Sequence, residues 1–96
     1  MKVRFLRPAE TEMMDAAAFY EMQVEKLGVN FLDIVEAAVI EIAEYPETWP
    51  EIEKGIQRRL IRRFPYSILY AIYENEVIIV AVMHQKQKPS YWIGRL

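Results

Sequence analysis

Tyr66-Ser67-Ile68-Leu69-Tyr70-Ala71-Ile72-Tyr73-Glu74-Asn75-Glu76-Val77-Ile78-Ile79-Val80-Ala81-Val82-Met83-His84 is the stretch from which the fold reads outward. From Tyr66 to Glu74, Tyr66, Ile68, Tyr70 and Ile72 fall on alternate positions, the two-residue period of a strand. From Val77 to His84 the run is apolar at nearly every position, so this strand is expected to be central and covered on both faces. Glu74-Asn75-Glu76 between them reads as a tight hairpin turn, since asparagine tolerates a positive φ. Upstream, Ile56 to Ile61 supplies a third strand. Strict alternation puts Arg58 and Arg62 on one face, with Arg59 and Arg63 on the other.

Further upstream the period changes. Residues 46–55, with two prolines and Gly55, read as loop. Phe31, Val35, Ala38, Ile42 and Tyr45 recur at helical spacing, and Pro46 stops that helix. Met13, Ala17, Tyr20, Val24 and Leu27 mark an earlier helix over about Glu10 to Lys26. Gly28 is expected as its C-cap, and Asn30 as the N-cap of the next helix. Two helices so closely joined should form an antiparallel hairpin. Lys2 to Leu6 alternates as a short strand, broken by Arg7-Pro8-Ala9. The tail from Pro89 to Leu96 is expected to close with one short helical turn. The expected fold is α+β, in the order β-α-α-β-β-β, with an antiparallel sheet packed on the N-terminal helical hairpin. No repeat or linker divides the chain, so residues 1–96 are read as a single domain.

Composition narrows the function classes. At 53% hydrophobic and 27% charged, the chain has the make-up of a packed protein. It has no cysteine and one histidine, which excludes a disulfide framework and a dedicated zinc site; no metal or cofactor is expected. No apolar run is long enough for a signal peptide or membrane span, so a cytoplasmic protein is expected. The net charge of −2 conceals a strong polarity. Residues 1–53 carry four cations against twelve acids, and residues 54–96 carry eight cations against two acids. Such a division suggests a basic surface meeting an anionic partner, with an acidic helical pair behind it.

Several segments together resemble one family. These are Ala16-Ala17-Ala18-Phe19-Tyr20, Leu27-Gly28-Val29-Asn30-Phe31-Leu32 and Tyr45-Pro46-Glu47-Thr48-Trp49-Pro50 in the first half. In the second half they are Arg62-Arg63-Phe64-Pro65-Tyr66-Ser67-Ile68-Leu69-Tyr70, Ala81-Val82-Met83-His84 and Pro89-Ser90-Tyr91-Trp92. In this order, and over essentially the whole chain, the pattern is similar to the RelE/ParE toxins of type II toxin–antitoxin and plasmid stabilisation systems. The resemblance implies a small toxin held inactive by a cognate antitoxin, alone as a homodimer or with it as a heterotetramer. The antitoxin would add a strand at a sheet edge and lay a helix on the helical hairpin.

The family holds two mechanisms. One branch, the mRNA interferases, cleaves mRNA on the ribosome. It uses cations to hold the scissile phosphate and proton-transfer groups at the ribose 2′-hydroxyl and the leaving oxygen. Arg62, Arg63, His84 and Tyr91 are the catalytic candidates if this chain does so. The ParE-like branch inhibits DNA gyrase by binding, with Arg58, Arg59, Lys86, Lys88 and Trp92 as candidate partner-binding residues here. Three features favour the second branch. The chain is slightly acidic overall, whereas cleaving members are strongly basic. Ser67 stands where cleaving relatives tend to carry an arginine. One histidine offers no paired general acid and base. A toxin fold that has lost toxicity and serves only as a binding module remains a third reading.

Overall fold

The computed structural model describes residues 1–96. Its elements are β1 (Lys2–Phe5), α1 (Arg7–Gln23), α2 (Leu27–Glu44), β2 (Glu51–Glu53), β3 (Ile56–Leu60), β4 (Tyr66–Tyr73) and β5 (Glu76–His84). The α+β class and the helical hairpin are as the periodicity implies. The sheet departs from expectation in two ways. It has five strands in the order β1-β5-β4-β3-β2, and it is mixed, because β1 runs parallel to β5 while the others form an antiparallel meander. The extra strand, β2, lies within the expected loop. Three residues are too few to show a period, and they are ordered by pairing with β3 around Gly55, whose φ of 81° suits a residue without a side chain.

Four local readings need correction. First, α1 starts at Arg7 rather than near Glu10: Pro8, which follows the end of the strand as expected, lies in its first turn, where its missing N–H costs no hydrogen bond. Second, Gly28 is no C-cap. It sits in the first turn of α2, where a Cβ would run into the Ala17 carbonyl oxygen and crowd Glu21, so it sets how closely the helices approach. Third, Asn30 lies inside α2, whose N-cap is Lys26 in the left-handed region. Glu21 takes over the capping, accepting from the Lys26 N–H at 2.8 Å and the Gly28 N–H at 3.0 Å. Consequently Val24 leaves the apolar stripe and is exposed, as is Tyr45 beyond α2. Fourth, the tail forms no helix. It winds through i to i+3 turns, with Tyr91, Ile93 and Arg95 N–H donating to the carbonyls of Lys88, Ser90 and Trp92.

The sheet separates two cores. Toward the helices, Phe31, Val35, Ala38 and Ile42 of α2 pack on Ile68, Tyr70, Val77, Ile79 and Val82. On the far face, Ile56, Leu69, Ala71, Ile78, Val80, Ala81 and Met83 pack around Trp92 from the tail. Burial of β5 on both faces confirms it as a covered strand. The turn before it has Glu74 and Asn75 at positive φ, 48° and 62°. One irregularity positions the site. Tyr70 pairs with Ile79 but Leu69 pairs with Ala81, leaving Val80 as a bulge. The extra residue reverses the alternation, which brings Val82, and with it His84, to the helix side.

Candidate partner-binding site

Between β3 and β4 the chain turns through Ile61–Pro65. Phe64 anchors this corner, buried with its ring centroid 4.7 Å from Tyr20 and 5.1 Å from Phe31. Arg63 beside it adopts a left-handed φ of 71°, uncommon for a long side chain. The Tyr66 N–H closes the bend on the Phe64 carbonyl at 2.8 Å. The exit from β5 abuts this corner, because the Gln85 N–H donates to the Pro65 carbonyl at 2.8 Å. Arg62 and Arg63 on one loop, and Lys86 and Lys88 on the other, are therefore carried by neighbouring segments at one end of the sheet. All four are exposed and none forms an ion pair.

The remaining candidate cations are bound elsewhere or face the other side of the sheet, although Arg59 borders Arg62. β3 ends at Leu60 and the chain bends, so the strict alternation expected through Arg63 fails. Arg59 and Arg62 line the same cleft against α2, whereas Arg58 lies opposite Leu69 on the far face. Arg59 pairs with Glu41, donates to the Ala38 carbonyl at 3.4 Å and stacks 4.4 Å above the Trp49 ring. Trp92 is buried in the far core, with its indole N–H donating to the Pro89 carbonyl at 2.8 Å.

His84 and Tyr91 line a hollow of about 260 Å³ with Asp15, Phe19 and Tyr66. The His84 Nδ1 accepts the Lys86 N–H at 3.0 Å, and its ring meets Tyr66 edge-on at 5.0 Å. The Tyr91 hydroxyl donates to Glu12 Oε2 at 2.6 Å. Burial, and then the adjoining Glu12 carboxylate, push the phenol well above the usual tyrosine range. Glu12 also accepts two bonds from Arg95, each 2.9 Å, and the Val82 N–H at 3.1 Å. This carboxylate bond raises the Arg95 guanidinium pKa further above its usual value. Sequence reading passed over Glu12, which in the sequence is one acid among twelve in its half; only its helical offset from Asp15 and Ala16 hints that it faces inward. No three His, Asp or Glu side chains converge as a bound metal would require.

A second surface lies on the helical hairpin. Phe5, Met13, Met14, Leu32, Val39 and Ile40 line an apolar groove of about 330 Å³. Past Met14 and Leu32 it continues along Ala17, Ala18 and Val29, with Glu36 and Glu21 at its margins. Half or more of Met14, Val29 and Ile40 is exposed. Contiguous exposed apolar surface of this kind is suited to docking another chain.

A helical hairpin against this mixed sheet, with an apolar groove and a cationic end, defines a small α+β protein of the hairpin-on-sheet class. Over residues 3–89 the chain matches the family described as the ParE toxin of the type II toxin–antitoxin system, parDE, and it belongs to that family. Among solved structures it is similar to a chain of the chromosomal ParDE toxin–antitoxin system from P. aeruginosa. The TM-score is 0.65 at 16% identity, covering 88% of this chain and 95% of the other, a likeness of fold. No curated protein matches the chain in sequence. No helix is long and apolar enough to cross a membrane.

Proposed function

We propose that this protein is a toxin that disables DNA gyrase by binding it, without chemistry of its own, and that a cognate antitoxin neutralises it. The observation that carries this reading is the set of unpaired, exposed cations Arg62, Arg63, Lys86 and Lys88 on two abutting loops. Free cations on one end steer and hold an anionic partner surface. Two features weigh against a ribonuclease. The Tyr91 proton is held by Glu12, and Ser67, where an arginine would serve cleavage, is buried on the far face.

The antitoxin reading rests on the hairpin groove. An amphipathic helix laid there would cover Met14, Leu32 and Ile40, and basic residues along its margin would face Glu21 and Glu36. The proposal places the protein in the cytoplasm as one domain over residues 1–96, forming a homodimer or a heterotetramer with its antitoxin. A supercoiling assay with purified gyrase tests the target. Inhibition relieved by the product of the adjoining open reading frame is expected, and unaffected supercoiling at micromolar toxin would refute it.

One observation keeps mRNA cleavage as a second reading: His84 sits beside the cationic end, bonded to the Lys86 amide. Arg62 or Arg63 would then hold the phosphate, with His84 and Tyr91 moving protons. Primer extension after induction separates the readings. Discrete cuts that vanish with His84→Ala mark the ribonuclease, and their absence alongside gyrase inhibition marks the binder.

A further inference from the structure

We propose that residues 85–96 form a strap, latched to α1 through Glu12, that opens as a unit while the sheet and helices stay folded. Of its twelve residues only Trp92 is buried, and its own backbone bonds are turns rather than ladder rungs. Few buried contacts and an exposed backbone are the marks of a segment that opens below the cost of global unfolding.

What holds it is one carboxylate. β1 ends at Phe5, and the last backbone bond on that side is Leu6 N–H to the Ile79 carbonyl at 3.0 Å. Beyond it the β5 edge is served by side chains. Arg95 Nη1 donates to the Val80 carbonyl at 3.0 Å, and Glu12 Oε1 accepts from Val82 N–H at 3.1 Å. The same carboxylate takes the Arg95 fork and the Tyr91 hydroxyl. Because the Arg95 fork and the Tyr91 hydroxyl converge on this one group, lifting the strap breaks them together and strips the Val80 carbonyl of its Arg95 partner. Charged, two-pronged bonds also make the catch the strong part of the attachment. The turn at His84–Gln87 joins the moving segment to β5, and the left-handed Gly94 within it turns the chain just before Arg95. Opening removes Trp92 from Leu69, Val80 and Ala81, and carries Lys86 and Lys88 away from Arg62 and Arg63. The latch therefore decides whether the four cations form one surface, a consequence that rests on the function proposed above.

Native-state hydrogen exchange on the full chain, followed by NMR at increasing low urea, tests the latch without any target protein. Its outcome is thus independent of the gyrase reading. In the wild type, the amides of Tyr91, Ile93 and Arg95 are expected to exchange through one common, nearly urea-insensitive opening, ahead of the slowest amides of β4. Glu12→Gln should speed that set about tenfold or more, as loss of a charge-assisted bond implies, and speed the global exchange of β4 by a similar factor, because the latch is broken in both opened states. Arg95→Lys, which keeps the charge but not the fork, should act on the same set. Exchange of Tyr91, Ile93 and Arg95 only together with β4 in the wild type, or no acceleration of these strap amides in either variant, overturns the proposal.

Discussion

The Arg95 guanidinium grips the Glu12 carboxylate through two parallel bonds of 2.9 Å, joining the last turn of the tail to the first half of α1 across 83 positions of sequence. Both side chains are largely shielded, at 18% and 23% exposure. Removing one partner leaves the other charge short of solvent and of its mate. Arg95→Ala should therefore cost about 2 to 4 kcal/mol, more than an exposed pair would. Arg4→Ala, which breaks the exposed pair with Glu76, should cost less than about 1 kcal/mol. Urea denaturation of the two variants checks this, and equal losses would contradict it.

Gly28 tests the helix packing. Alanine there meets the backbone of Ala17, which cannot swing aside like a side-chain end. Gly28→Ala should destabilise by about 1 to 3 kcal/mol despite alanine's better helix propensity. A neutral or stabilising outcome in thermal melts would mean that the helices do not approach as described.

Tyrosine ionisation sets the alkaline limit. Burial pushes Tyr20, Tyr66, Tyr70 and Tyr91 above the usual range, with Glu12 adding to the effect at Tyr91. In the unfolded chain these phenols lose protons near pH 10 (roughly the free value), while the folded chain retains them. Their contribution is thus complete below about pH 10 and is lost as pH rises above it. Melting temperature should fall steeply there, and Tyr91→Phe should flatten that fall. An unchanged slope in the variant would rule out the assignment.

The two surfaces should separate by mutation. Arg62→Glu with Arg63→Glu, or Lys86→Glu with Lys88→Glu, should abolish gyrase inhibition while stability changes by no more than about 0.5 kcal/mol per site. Antitoxin binding should persist. Met14→Asp with Ile40→Asp in the groove should do the reverse, weakening antitoxin binding at least tenfold with inhibition retained. Calorimetry with the antitoxin and supercoiling assays read both arms; losses that always occur together would merge the surfaces into one.

Residue order by itself determined the parts of this protein governed by local periodicity. The two helices, the hairpin about Asn75 and the double-sided burial of β5 follow from apolar spacing and turn chemistry, which act over a few residues. The cationic character of the C-terminal half was equally legible, and so was the family, through several short segments in sequence order. Tertiary structure decided everything that depends on contacts between distant segments. It added β2, laid β1 parallel to β5, inserted the Val80 bulge that brings His84 to the helix side, and sent Arg58 and Arg62 to different faces. It also withdrew Arg59, Tyr91, Trp92 and Arg95 into internal bonds and packing. A side chain's charge is written in its identity, but whether that charge faces solvent or a carboxylate depends on where the chain returns. Glu12 looks in the sequence like any other helical acid, and only the return of the tail makes it the group on which four donors meet.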